Sequence, residues 1–174
     1  MATLADSLMM QTRLSSLLLN DNDIGPKGAT SFAKALHKNS SLTRVSLTSN
    51  SIGVSGAEQI AEALRQPGCK LKSLDIEDNS IGPQGATHLA EALVVNHCLQ
   101  SLHLSDNGIG DSGAVALSNA LRLNTKLVTL WLGGSNGLGA QGNGALSEAL
   151  KKNSTLRTLH LGTPRTGHSV LVPV

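Results

Sequence analysis

Hydrophobic and polar positions along the chain recur with a nearly fixed period. Leucines open successive units at intervals of 28, 29, 28, 28 and 29 residues, and these leucines are Leu14, Leu42, Leu71, Leu99, Leu127 and Leu156. A fixed period of this length is typical of a solenoid, in which each unit buries its apolar face by stacking on its neighbours. The repeat therefore predicts that function lies on a repeated surface rather than in a pocket.

Each unit combines a strand pattern with a helix pattern. In residues 71–98, Leu74 and Ile76 alternate with Ser73 and Asp75, and this period of two places the two apolar side chains on one face of a strand. From about residue 84, apolar residues recur every three or four places, which predicts the buried stripe of an amphipathic helix. The alternation predicts an α/β solenoid with a parallel sheet of about six strands on its concave side and helices on its convex side.

Two smaller features recur beside the leucines. An asparagine follows each of the first four strands, and these residues are Asn22, Asn50, Asn79 and Asn107. Their amides are expected to bond turn backbone in a ladder, because each buried group left unpaired would cost about 1–3 kcal/mol. In the fifth unit, an insertion within segment 133–139 displaces Asn136 by one place. The pattern alone therefore does not decide whether Asn136 joins the ladder. A repeated Gly-Ala step, such as Gly85-Ala86, predicts that adjacent helices approach closely.

Composition narrows the class of protein. The chain has 14 Lys and Arg residues against 12 Asp and Glu residues, so neither nucleic acid nor a membrane surface is an expected partner. No apolar run approaches the roughly 18 residues that cross a bilayer, and residues 1–13 lack the apolar core of a signal peptide. We therefore expect a soluble cytoplasmic protein. Cys69 and Cys98 are then expected to be reduced thiols, although their spacing allows a disulfide.

The pattern LxxLxLxxN-(x)-IGxxGAxxLAxALxxN, carried by residues 4 to 161, resembles the leucine-rich repeat of the ribonuclease-inhibitor type. It is most similar to the repeat arrays of NOD-like receptors of the CARD-containing kind. The resemblance implies a right-handed α/β horseshoe that binds proteins through its concave strand face.

The same pattern divides the chain into four parts. Residues 1–13 form a partial N-terminal repeat with a helix only, 14–155 form five repeats, 156–161 form the strand of a sixth, and 162–174 form an irregular tail. Neither end shows the polar cap that solenoids need, so we expect a fragment of a longer protein or a short array with improvised ends.

The outward positions of the strands and the residues just after them form the predicted protein-binding surface. Its candidate residues are Arg44, Asp75, Glu77, Asp78, His103, Asp106, Trp131 and His160. Trp131 is expected either to be a binding hot spot or to pack over neighbouring rungs. The four acidic residues form a cluster that suits a basic partner, or else a solvated polar face.

No pattern in the chain points to catalysis. His103 and His160 lie two rungs apart, about 10 Å, with Trp131 between them, so they do not predict a metal site. No Ser or Cys is paired by spacing with a His and a carboxylate. We therefore predict a non-enzymatic scaffold that binds a protein partner, without a cofactor, a metal or a small-molecule substrate.

The resemblance implies a sensing or regulatory array, as in NOD-like receptors. One alternative, implied by other relatives, is a Ran-type GTPase-activating regulator, which would need a residue reaching the nucleotide from a strand-to-helix loop. Another is a truncated fragment without independent function.

Overall fold

Strands and helices alternate along the whole of the chain that the computed structural model describes, which is residues 4–10 and 13–162. The elements are α1 Leu4–Met9, β1 Ser16–Leu18, α2 Gly25–Lys38, β2 Arg44–Ser46, α3 Gly53–Arg65, β3 Ser73–Asp75, α4 Gly82–Val95, β4 Ser101–His103, α5 Gly110–Leu121, β5 Thr129–Trp131, α6 Ala140–Leu150 and β6 Thr158–His160. The predicted irregular tail falls, from residue 163 onward, outside the described residues. None of the described helices is long and apolar enough to cross a membrane.

All six strands join one parallel sheet in chain order, from β1 to β6. The register is the same at every step, so that Leu74 of β3 pairs with Leu102 of β4, and Leu102 pairs with Leu130 of β5. Each helix packs on the helices of the neighbouring repeats. The predicted α/β solenoid with a parallel sheet of six strands is confirmed.

The middle residue of each strand points into the core. Leu74, Leu102 and Leu130 are fully buried, as the alternation of side chains along a strand requires. Leu14 is the exception among the repeat-opening leucines, since 41% of it is exposed. The expectation that this leucine is buried is wrong, because the described residues contain no strand on the outer side of β1 that would cover it.

Glycine allows the helices of adjacent repeats to approach closely. A Cβ atom on Gly85 would lie 3.1 Å from the Cβ of Ala57, and one on Gly113 would lie 3.0 Å from the Cβ of Ala86. Any larger residue at these positions would push the two helices apart. The close approach predicted from the Gly-Ala step is therefore present.

The asparagine ladder runs through the array and includes the fifth repeat. The Asn107 side chain accepts a 2.9 Å hydrogen bond from the Asn79 amide and donates one of 2.8 Å to the Ile76 carbonyl. Asn136 accepts in the same way from the Asn107 amide, at 2.9 Å. The backbone accommodates the extra residue of the fifth repeat before Asn136, where Gly134 has a φ of +69°. Asn136 therefore joins the ladder, which the sequence pattern did not decide.

A second set of asparagines fixes the chain where each of four helices leads into the next strand. Its members are Asn39, Asn96, Asn124 and Asn153, all buried. Asn96 shows the pattern: its side chain donates a 2.7 Å hydrogen bond to the Leu64 carbonyl of the preceding repeat and accepts one of 2.7 Å from the Leu99 amide.

The two cysteines are free thiols in the structure. Cys69 is buried and Cys98 is partly buried. Burial raises the pKa of the Cys69 thiol above its usual range, so this side chain is protonated at neutral pH. Both residues lie on the helix-to-strand side of the repeat.

Candidate protein-binding surface

The sheet presents one face to solvent, and we call it the strand face. It is formed by the first and third residues of each strand and by the residues that directly follow the strands. The uniform register aligns the third strand residues in one row, the central row, which contains Leu18, Ser46, Asp75, His103, Trp131 and His160. Candidate residues from different repeats are therefore neighbours in space.

Three rings of the central row stack on one another. The ring centroids of His103 and Trp131 lie 5.1 Å apart, and those of Trp131 and His160 lie 4.3 Å apart, with interplanar angles of 29° and 24°. Aromatic pairs in such geometry contribute about 0.5–1.5 kcal/mol beyond the area they bury. Trp131 thus packs over both neighbouring rungs, which was one of its two predicted roles. We call these three residues the ring column.

Three buried polar atoms, two of them in the ring column, lack a hydrogen-bond partner within residues 4–10 and 13–162. They are the Nε1 atom of Trp131, the Nδ1 atom of His160 and the Oγ atom of Ser105. Ser105 is fully buried and lies in the turn after β4, where the repeat aligns it with Glu77 of the preceding unit. Unpaired buried groups cost about 1–3 kcal/mol each and are uncommon in folded proteins.

Four carboxylates lie where β3 and β4 end, and we call Asp75, Glu77, Asp78 and Asp106 the acidic cluster. Burial raises the pKa of Glu77, and the negative charges of Asp75, Asp106 and Asp78 raise it further. Among the described residues, no Lys or Arg forms an ion pair with any of the four. Within the described residues, the cluster therefore has no Lys or Arg at ion-pair distance.

Three members of the acidic cluster also accept hydrogen bonds within the fold. Asp75 accepts one of 3.1 Å from the Glu77 amide, and Asp78 accepts one of 2.9 Å from the Ser49 hydroxyl. Asp106 accepts one of 2.7 Å from the Ser135 amide. These bonds hold the three carboxylates in place, whereas no residue of the described chain donates a hydrogen bond to the Glu77 carboxylate.

His103 connects the ring column to the acidic cluster. Its Nδ1 atom lies 3.9 Å from a carboxylate oxygen of Asp75, and its Nε2 atom lies 3.1 Å from the Ser101 hydroxyl. Burial lowers the pKa of His103 below 6.5, and the negative charge of Asp75 opposes this only in part. The imidazole is therefore mostly neutral at pH 7 and does not offset the charge of the cluster.

A groove of about 630 Å³ crosses the strand face from β1 to β4. It is lined by Leu18, Thr43, Arg44, Val45, Ser46, Lys72, Ser73, Asp75, Gln100, Ser101 and His103. Two cationic side chains, Arg44 and Lys72, line this groove at the starts of β2 and β3. The strand face is therefore polarised, with cations where strands begin and carboxylates where they end.

The structure brings most of the predicted residues together in two adjoining groups, the acidic cluster and the ring column. Arg44, exposed at the start of β2, belongs to neither group but lines the same groove as Asp75 and His103. Ser105, Lys72 and Gln100 were not among the predicted residues. The repeat alignment identifies Ser105 as the residue equivalent to Glu77 in the next unit, but no sequence pattern shows that its hydroxyl lacks a partner among the described residues.

No group of three or more His, Cys, Asp and Glu residues in the described chain is arranged to hold a metal ion.

Comparisons with known proteins agree on the fold. A family profile described as "Leucine Rich repeat" matches residues 12–33, 38–61, 69–90 and 95–118. The structure of leiomodin-1 actin-binding site 2 is similar with a TM-score of 0.70 and 21% identity, over 87% of this chain and 90% of that one. The C-terminal domain of tropomodulin from Caenorhabditis elegans is similar with a TM-score of 0.70 and 18% identity, over 87% of this chain and 93% of that one. No curated protein matches the sequence.

Proposed function

This chain belongs to the leucine-rich repeat family, and we propose that it is a non-enzymatic scaffold that binds a protein partner through its strand face. The observation that carries the proposal is the ring column, which contains the one tryptophan of the sequence, with its buried indole N–H unpaired within the described residues. Tryptophan is enriched among the residues that dominate binding energy at protein interfaces. The acidic cluster beside it supplies charge for orientation and partner choice.

We further propose a cytoplasmic sensing or regulatory array of the NOD-like receptor kind. This finer proposal depends on the repeat pattern of the sequence alone. The family profile and the similar structures support leucine-rich repeats without supporting that particular kind.

Actin is the first individual partner to test, because one of the similar structures is an actin-binding site of leiomodin-1. Cosedimentation with actin filaments measures this directly. The wild-type protein is expected in the pellet, and the Trp131→Ala protein in the supernatant. A wild-type protein that stays in the supernatant with actin filaments, and that also fails to co-elute with monomeric actin in size-exclusion chromatography, would exclude actin as the partner.

Affinity capture from cell lysate, with identification of the bound proteins by mass spectrometry, tests the scaffold function itself. Trp131→Ala and Asp75→Lys alter the strand face, and Glu58→Lys makes a matched charge change on the exposed side of α3. We expect the strand-face variants to lose specific partners that the Glu58→Lys protein retains. Variants of the strand face that retain every partner would show that this face does not bind proteins.

A further inference from the structure

We propose that the strand face recognises an extended partner segment carrying arginine or lysine side chains, whose charges the acidic cluster receives. This inference rests on the proposed protein-binding function and names the chemistry of the partner. The whole chain has a formal net charge of +2. The negative potential at the acidic cluster is therefore local and does not come from an overall negative charge of the protein. A local potential of this kind selects and orients a partner of opposite charge.

The acidic cluster lacks an ion-paired Lys or Arg among the described residues. None of its four carboxylates pairs with a Lys or Arg of the described chain, and the nearest imidazole, that of His103, is mostly neutral at pH 7. Glu77 is partly buried, and no hydrogen bond within the described residues reaches its carboxylate. A cation beside Glu77 would offset both the burial and the repulsion that raise its pKa.

The arrangement of the carboxylates suits side-chain cations better than a metal ion. A metal ion needs several ligands converging on one point, and no group of three or more His, Cys, Asp and Glu within the described residues has that arrangement. The carboxylates instead come from two adjacent repeats, with Asp75, Glu77 and Asp78 in one and Asp106 in the next. Carboxylates spread over two repeats suit the separate side-chain cations of a peptide.

The hydroxyl of Ser105 is buried in this region and has no hydrogen-bond partner among the described residues. By register, Ser105 occupies the place in its repeat that Glu77 occupies in the preceding one, and Asp106 follows it directly. Ammonium and guanidinium groups are donors only, and a hydroxyl oxygen is able to accept from them. A basic side chain entering between Glu77 and Asp106 would pair this oxygen together with the two carboxylates.

The surroundings also suit the rest of a basic side chain. The planar guanidinium of arginine stacks on aromatic rings, and His103 presents the partly exposed end of the ring column next to Asp75. The long stems of arginine and lysine cover apolar surface, and the exposed Leu18 lies in the adjoining groove. Arg44 and Lys72 line the same groove at the starts of β2 and β3, so acidic residues of the segment would be accepted at that end of the strands.

Fluorescence anisotropy with labelled eight-residue peptides tests the proposal. The probe alternates Arg with Ser, and the neutral control replaces every Arg with citrulline, which has nearly the same shape without the charge. We expect the wild-type protein to bind the arginine peptide at least roughly tenfold more tightly than the citrulline peptide. Because Trp131 is the only tryptophan, its emission should change when the arginine peptide binds and remain unchanged with the citrulline peptide.

Variants localise the effect. Glu77→Gln and Asp78→Asn should each weaken binding of the arginine peptide by about two- to fivefold, the range measured for single partly exposed charge pairs. Glu58→Gln removes the same charge on the exposed side of α3 and should leave binding unchanged. Equal affinity for the arginine and citrulline peptides, or equal weakening by Glu58→Gln, would overturn the proposal.

Failure of this inference is distinguishable from failure of the proposed function. If Trp131→Ala abolishes capture of a partner while the two peptides bind alike, the strand face binds proteins but does not select basic segments. If the strand-face variants capture every partner, the proposed function itself fails. Circular dichroism of each variant, compared with the wild type, shows that the comparison is made between folded proteins.

Discussion

The Asp106 carboxylate accepts a 2.7 Å hydrogen bond from the Ser135 amide of the next repeat. The contact joins a residue of the acidic cluster to the segment that carries the extra residue of the fifth repeat. Gly134 lies against the same carboxylate, so closely that a Cβ atom there would overlap both of its oxygens. Asp106 therefore has a structural role in addition to its place on the strand face.

This contact predicts that Gly134→Ala destabilises the protein. The substitution introduces a Cβ atom against Asp106, at a residue whose φ of +69° is unfavourable for alanine. We expect a loss of about 1–3 kcal/mol in the free energy of unfolding, measured by urea denaturation. Gly68→Ala is the control, because it meets no atom within 4 Å and its φ is not positive. An equal effect at both sites would contradict this explanation of the insertion.

The asparagine ladder predicts a large cost for one side chain. Asn107→Ala would leave the Asn79 amide and the Ile76 carbonyl without their present side-chain partner. Because Asn107 is buried, we expect a loss of about 2–4 kcal/mol in unfolding free energy. Asn22, whose exposed side chain donates only to the nearby Asn20 carbonyl, is the matched control. Asn22→Ala should cost less than about 1 kcal/mol, and similar losses for the two variants would argue against a buried ladder.

Substitutions on the two faces of β3 are expected to differ in their effect on stability. Leu74→Ala opens a cavity in a fully buried position and should cost about 2–5 kcal/mol. Ser73→Ala changes the neighbouring residue on the strand face and should shift stability by less than about 0.5 kcal/mol. Both values come from denaturation curves of purified variants. Comparable costs for the two would mean that the assigned faces are wrong.

The pKa of His103 reports on the polar end of the ring column. Burial lowers this pKa below 6.5, and Asp75 partly restores it. We therefore expect an NMR titration to give a pKa below 6.5 for His103, and a still lower value in Asp75→Asn. Glu58→Gln should leave the value unchanged. A pKa above 6.5, or a rise in Asp75→Asn, would contradict the described surroundings of the ring.

The same shift has a consequence for stability. The unfolded chain takes up a proton at His103 near pH 6.5, whereas the folded protein does so only at lower pH. The contribution of His103 to folding is thus fully present above pH 6.5 and is lost as the pH falls through the pKa of the folded state. His103→Gln should remove this part of the pH dependence, which urea denaturation at a series of pH values would show.

Much of the fold was predictable because the apolar spacing is nearly the same in every repeat. A period of two around Leu74 and a helical period from residue 84 fix both elements and their buried sides. Leu14 was predicted wrongly, since the same residue type in the same pattern is exposed when no neighbouring strand covers it. Asn136 could not be assigned either, because whether an inserted residue disturbs a turn depends on the backbone angles available to Gly134.

The candidate site was predictable in position rather than in chemistry. Alternation placed His103, Trp131 and His160 in one row, but the stacking of their rings depends on side-chain angles that spacing does not determine. The unpaired hydroxyl of Ser105 is likewise a property of the packed structure. The sequence indicated the acidic cluster, and the structure added the absence of an ion-pairing Lys or Arg among the described residues.

Position-specific photocrosslinking tests the central claim most directly, namely that the strand face is where a protein partner binds. A benzophenone amino acid is placed at Gln100, exposed in the groove of the strand face, or at Asn119, exposed on α5. After irradiation with partner-containing lysate, we expect a discrete crosslinked protein from position 100 and none from position 119. The same protein crosslinked from position 119 alone, or equally from both positions, would contradict the claim.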